Sequence, residues 1–301
     1  MSSATSIDSD SGNTVETETG GPLVARMVLG ARLRRLREAR GISREEAGWT
    51  IRSSASKISR LELGRTGCKL RDVADLLELY GLPEEERPTL LALAEQANTP
   101  GWWQEYHDIV PSWLRTYLGA EQEASEIRCF EVQFVPGLLQ TEDYAREVIA
   151  LDCGADPAEQ ARRLELRMAR QRILTRPHRP VNLWAVLDEA VLRRPIGGTE
   201  TMRGQLEHLL KAHRMPNVTI QIVPFAAGGH AAGLSSVTLV RLPHPDLQDV
   251  VYLEQLDSAV YPDRQAEIDH YWQAFHTLVT EAEPPARTEA ILTEALEWYR
   301  G

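Results

Sequence analysis

The apolar positions of the chain change rhythm once, near residue 99. Before it the spacing is helical. Leu29, Leu33 and Leu36 recur at i, i+4 and i+7 in LGARLRRLREARG, which predicts a helix with arginines on its other faces and Gly41 as its stop. Ser43 opens a second helix, with Glu46 three residues on completing a capping box. Ser53 or Ser54 caps a third, in which Ile58 and Leu61 point inward while Ser56, Lys57, Ser59 and Arg60 share the outer faces; Gly64 ends it. Leu70, Val73, Leu76, Leu77 and Tyr80 form the stripe of a fourth, terminated by Gly81. PEEERPTLLALAEQA reads as a fifth, acidic at its N-terminal end as the helix dipole favours.

Past NTPGWWQEYHDIVPSW the rhythm shortens. IRCFEVQFV, VNLWAVL, NVTIQIVPF, SSVTLVRL and DVVYLEQL read as strands bounded by Pro, Gly and Asp. Helical patterns lie between and around them, among them DPAEQARRLELRMARQRIL, TETMRGQLEHLLKAH and a last one striped by Ile268, Tyr271, Trp272, Phe275, Leu278 and Val279. Three strand candidates in succession predict an α+β domain with an antiparallel or mixed sheet and helices on one side. The expected organisation is a disordered acidic Ser/Thr-rich tail over 1–22, an all-α five-helix unit over 23–98 and the α+β domain over 99–301.

Composition narrows the class. The chain has 301 residues, 43% apolar and 26% charged, ordinary for a soluble protein, with no run near the roughly 20 apolar residues of a membrane helix. The N-terminus lacks a basic region followed by an apolar core, and Cys68, Cys129 and Cys153 show neither disulfide nor zinc spacing, so a cytoplasmic location is expected. His208 and His213, five apart, do not share a helix face well enough to hold a metal, and neither metal nor cofactor is expected. Net charge is -11, but Val24 to Leu82 holds thirteen Arg/Lys against seven Asp/Glu, a local +6 that leaves -17 for the rest. Such asymmetry is the footprint of a polyanion-binding module on an acidic body.

The second and third helices meet the physical demands of a helix-turn-helix: a short turn, a small contact residue in Gly48, and apolar backing from Ala47, Ile51, Ile58 and Leu61. With ISREEAG followed by SKISRLELG, Gly30 to Tyr80 resembles the lambda-repressor-like (XRE-type) helix-turn-helix of bacterial transcription regulators. The resemblance implies a partner in double-stranded DNA. It implies base-facing positions at Ala55, Ser56, Ser59 and Arg60, and phosphate-facing positions at Arg44, Ser54, Lys57 and Arg65. Arg60 is the expected direct reader, its planar fork matching guanine O6 and N7. One recognition helix reads few bases, so a homodimer is expected. The turn position that is usually glycine is Arg52, which must tolerate an unusual backbone conformation unless the turn adjusts.

The larger domain, through GWWQEYHDIVPSWLRTYLGAEQEA, FVPGLLQTEDYA, WAVLDEAVLRRPIGG, PNVTIQIVPFAAGGH and VVYLEQLDSA, resembles the domain of unknown function that follows this module in regulators of filamentous actinobacteria of the WhiJ kind. Those proteins are often encoded beside a small partner protein. The resemblance implies a domain that senses a ligand or partner; the alternative is an antitoxin-like protein whose DNA binding is autoregulatory. FAAGGHAAG, with His230, reads as a ligand loop or a plain strand connection. Trp102, Trp103, Tyr106 and Trp113 either line a pocket or pack the linker. Arg128, Ser235, Ser236 and Glu254 are the residue types, in order, that an ADP-ribosyltransferase-like enzyme sets around NAD, a weaker alternative to the expectation of no catalysis.

Overall fold

The computed structural model describes residues 21–152, 154, 156–229, 235–244 and 247–300. All but the last two residues of the expected acidic tail, together with Cys153 and His230, lie outside these residues.

Five helices build the N-terminal unit: α1 (Pro22–Ala39), α2 (Arg44–Thr50), α3 (Ala55–Glu62), α4 (Leu70–Leu79) and α5 (Arg87–Ala97). Ser43 Oγ accepts the Glu46 amide at 3.1 Å and Ser54 Oγ accepts the Lys57 amide at 3.2 Å, so both caps form and Ser54 is the one that starts α3. The core joins Leu29 and Leu33 to Ile58, Leu61, Val73, Leu76 and Tyr80. Leu70, placed in the α4 stripe by its spacing, is exposed at the first residue of the helix.

Helix α1 starts seven residues before the leucine stripe. Pro22 occupies its first turn, and the free amides of Leu23 and Val24 each donate to the Glu123 carboxylate at 2.7 Å. The cap is thus a side chain about a hundred residues downstream, and Leu23 and Val24 belong to the core of the second domain.

That domain adds α6 (Leu114–Glu123), α7 (Glu142–Ala150), α8 (Pro157–Arg170), α9 (Glu189–Arg193), α10 (Gly198–His213), α11 (Gln265–Glu281) and α12 (Thr288–Trp298). Its sheet comprises β1 (Glu126–Glu131), β2 (Asn182–Asp188), β3 (Val218–Val223), β4 (Val237–Arg241), β5 (Val250–Glu254) and the short β6 (Ala259–Val260). The order is β3-β2-β1-β4-β5-β6, parallel through β3, β2 and β1 and antiparallel from β1 through β6, a mixed sheet as expected. Helices cover both faces rather than one. Ile127, Cys129, Leu183 and Tyr252 face the side of α6, α7, α10 and α12, whereas Phe130, Val186, Leu239 and Val251 face Ile268, Trp272, Phe275 and Leu278 of α11. The tryptophan-rich linker folds as a short 3-10 turn. Trp102 meets Trp103 and Tyr106 edge to face, and the three rings pack against Val110, Leu118 and Leu166, with Trp102 Nε1 donating to Gln122 Oε1 at 3.0 Å. This group packs the linker down; Trp113 packs instead on the main core.

Two contacts fix α3. The Glu62 side chain is 1% exposed and takes Nε and Nη2 of Arg37 on α1 at 2.5 and 3.0 Å, and Nε of Arg44 on α2 at 3.2 Å. The backbone of α1 also comes so close to α3 that a Cβ on Gly30 would stand 2.5 Å from the Leu61 carbonyl oxygen. Gly30→Ala is expected to lower the melting temperature of the chain although alanine is favoured in a helix by about 1 kcal/mol; a rise would show that the helices have room to part. Glu62→Gln leaves two guanidinium groups short of a counter-charge and is expected to destabilise the unit by about 3–5 kcal/mol in a urea melt, whereas a midpoint within error of the parent would remove Glu62 from this role.

Candidate functional site

The turn between α2 and α3 closes through Ser53 N–H to Gly48 O at 2.8 Å and Arg52 N–H to Trp49 O at 3.1 Å. Gly48 allows it: a Cβ there would lie 2.8 Å from the Ser53 carbonyl oxygen, so the close approach is to the turn itself. Arg52 takes up the left-handed conformation, with φ 53°. The turn therefore keeps the geometry that glycine ordinarily serves, at a cost of about 1–3 kcal/mol, and holds an exposed guanidinium just before the N-terminus of α3.

The residues assigned to bases share the outer side of α3. Ser56 and Arg60 are exposed and Ala55 and Ser59 half-buried, and the Arg60 guanidinium makes no bond to any described residue. The residues assigned to phosphates are engaged within the chain. Arg44 pairs with Glu62, Ser54 caps α3, and Lys57 Nζ meets the buried Asp72 at 3.2 Å. Arg65 Nη2 donates to the Tyr261 carbonyl at 2.8 Å, with Asp263 at 3.7 Å. Among the described residues of this unit, Arg32, Arg35, Arg52, Arg60, Lys69 and Arg71 are exposed cations without an ion-pair or hydrogen-bond partner. Lys69 and Arg71 were not among the expected contacts; their signal in the sequence is their place at the start of α4, just past the loop that ends α3.

A second feature lies in the α+β domain: a cavity of about 620 Å³ between the sheet and α6, α8 and the segment 132–140. Glu131, Ser235, Ser236, Tyr252 and Glu254 line it from the sheet, Tyr117 from α6, and Arg167 and Arg170 from α8. Arg170 is spent on Glu121 through two 2.7 Å bonds. Arg167 gives one N–H to Gln140 Oε1 at 2.9 Å, and burial, with Arg170 next to it, lowers its pKa to about 10. Burial pushes the Glu131 carboxyl up to about 7, against the pull of the Ser236 hydroxyl. Glu131 escaped the sequence reading although it follows Ile127 and Cys129 at period two, a carboxylate on an apolar face.

Tyrosines join the cavity to the helical unit. Tyr117 stacks on Tyr252 at 4.2 Å, and Tyr252 donates to Glu254 Oε2 at 2.9 Å and contacts the Tyr261 ring at 5.5 Å. Tyr261 in turn donates to the Trp113 carbonyl at 2.6 Å, and its own carbonyl accepts from Arg65, three residues past the end of α3.

The enzyme-like set is not assembled. Ser235, Ser236 and Glu254 reach the cavity, but Arg128 lies on the other face of the sheet, because it alternates with Ile127 and Cys129. There it sits over Trp184 and Trp272 and bonds to Glu126 at 2.5 Å and His276 at 3.0 Å.

Comparison with known families agrees with this division. Residues 28–90 match a helix-turn-helix domain, which supports a DNA-binding regulator, and no described helix is long and apolar enough to cross a membrane. No curated protein and no solved structure matches the chain. Residues 114–294, more than half of the chain, match the domain of unknown function DUF5753, and the chain belongs to that family.

Proposed function

We propose that the protein is a sequence-specific transcription regulator that binds double-stranded DNA as a homodimer, and that its C-terminal domain senses a small ligand in the cavity. The observation that carries the DNA-binding part is the outer side of α3, where Arg60 stands unpaired beside Ser56 and Ser59 in a helix clamped from behind by Glu62. Ala55, Ser56, Ser59 and Arg60 face base edges; Arg44, Ser54, Lys57 and Arg65 face phosphates, joined by Arg52, Lys69 and Arg71. The engaged cations exchange partners on binding: Lys57 leaves Asp72, and Arg65 leaves Tyr261 and Asp263. The sensing part rests on Arg65, which touches the same tyrosine that abuts the cavity wall. A ligand acts through it by favouring one of two settings of Tyr261.

Operator sequences selected in vitro from random DNA supply the test. Arg60→Ala is expected to lose about 1–3 kcal/mol of discrimination at one base pair of each half-site, while Lys57→Ala weakens all sequences alike and flattens the salt dependence by about one unit of slope. Equal binding of the selected operator by both variants and the parent would sink the assignment of α3. Sharing of Arg65 has its own signature. Asp263→Asn frees Arg65 for phosphate and is expected to tighten operator binding about 1.5- to 5-fold, in line with the roughly 0.2–1 kcal/mol of an exposed pair, and Arg65→Ala to weaken it. Tightening by Asp263→Asn even in the Arg65→Ala background would place the effect elsewhere.

A further inference from the structure

The end of the sheet that opens on the cavity carries a row of three polar residues. Phe130 pairs with Val237 and Thr238 with Tyr252, so continuing the register by one residue from the first pair and by two from the second sets Glu131, Ser236 and Glu254 side by side across β1, the residue just before β4, and β5. Alternation turns all three to the face of Cys129, Thr238 and Tyr252, and all three line the cavity. At about 4.8 Å between strands, the Cα atoms of the two glutamates are roughly 10 Å apart with a serine between them. Two extended carboxylates reaching inward over that span leave room for one cationic group that bonds both.

Charge favours such a group. Glu121 neutralises Arg170, which leaves Glu131 and Glu254 against the single guanidinium of Arg167. Burial makes the charged form of Glu131 costly, and a bound cation relieves that cost, while the exposed Glu254 adds a second negative charge beside it. The remaining wall mixes polar residues, among them Gln133, Gln140 and Thr238, with an apolar and aromatic part made by Tyr117, Phe134, Leu138 and Tyr252, and the fully exposed Leu256 also lines it. A molecule with a charged end and an apolar body matches both parts.

We propose that this cavity binds a small organic amine, its ammonium group seated over Ser236 between Glu131 and Glu254 and its apolar or aromatic body against Tyr117, Phe134 and Leu138. The proposal rests on the ligand-sensing part of the function given above and names the chemistry that is sensed. Arg167, whose other donors are free of carboxylates among the described residues, accommodates an acceptor atom on the same molecule. Glu131 is faced by Ser236 and Glu254 from neighbouring strands, by Cys129 on its own, by Arg167 from α8 and by Tyr144 from α7. With its carboxyl raised to about 7, Glu131 is partly protonated near neutral pH. An ammonium ion binds the ionised form, so binding expels a proton and tightens as pH rises from 6 to 8. The ammonium itself, with a pKa near that of lysine at about 10.4, stays charged throughout.

Titration calorimetry on the full chain tests this with matched probes, phenethylamine and tryptamine against 3-phenylpropionate and indole-3-propionate, at pH 6 and 8 in buffers of different ionisation enthalpy. The amines are expected to bind, up to about tenfold tighter at pH 8, as titration of one group near 7 allows, and to release protons. Glu131→Gln should weaken the amines and abolish both the release and the pH dependence; Glu254→Gln should weaken them and leave the release in place. Failure of both amines to bind the folded chain at millimolar concentration, equal or better binding of the carboxylates, or proton uptake in place of release would overturn the assignment. Operator affinity measured with each probe separates the two claims. An amine that binds without changing operator affinity leaves the site and sinks sensing, whereas a carboxylate that binds and changes it keeps sensing and sinks the amine.

Discussion

The orientation of α3 depends on one buried carboxylate. An eight-residue helix is too short to hold itself in water, and its pose must come from tertiary contacts. Glu62 supplies them: placed in the last turn of α3, it gathers Arg37 from the last turn of α1 and Arg44 from the start of α2, so that three helices meet at one group. Arg37 also donates to the Ile42 carbonyl at 2.9 Å, which ties the loop before α2 to the same point. Burial of an ion pair seldom adds net stability over an apolar replacement. Its gain here is direction, since the fork of Arg37 accepts a carboxylate in one plane where a leucine contact would allow α3 to turn.

The same interaction shows what a charge count overstates. Of the thirteen cations behind the local +6, Arg37 is buried against Glu62, Arg44 shares it, Arg34 pairs with Glu38, and Arg26 and Arg40 bond to the carbonyls of Ala97 and Gly81. The field that DNA meets comes from those that remain exposed, and several of them, such as Arg52 and Arg71, flank α3 in sequence rather than lie on it. Arg52 unites the two themes. Its strained φ is held by the hydrogen bonds of a turn that closes on Gly48, and a glycine in its place would relieve the strain but remove a cation beside the recognition helix.

Much of this was legible in the sequence because it is local. Serine caps, leucine spacing and glycine stops are decided within four residues, and the helices of the first unit and the strands of the second follow from them. What was hidden depends on distant partners. The start of α1 is set by Glu123, about a hundred residues away, and no pattern near Pro22 announces it. Helices α6 and α12 carry short apolar stripes that count only once a sheet exists to receive them. Alternation puts Arg128 and Cys129 on opposite faces, but which face of β1 is shared with Glu254 is a matter of strand order and register. The cavity, the pairing of Glu131 with Ser236 and the separation of Arg128 from Glu254 all follow from that order.

The join between the two units has a scale that suits control. Glu123 and the core contacts of Leu23 and Val24 make the docking of α1 firm, because they bury apolar side chains and satisfy amides that have no other partner. Arg65 and Tyr261 are a lighter contact at the other end of the same interface, half-exposed and shared with Asp263. Under the proposed sensing, a ligand that shifts Tyr252 need not unfold or undock anything; it has only to change the free energy of that lighter contact. A change of about 1.4 kcal/mol there alters affinity tenfold, and in the proposed dimer on two half-sites the effect would be counted twice. Firm docking is what would make so small a difference count in the proposed mechanism, because it keeps α3 from absorbing the shift by drifting with Tyr261.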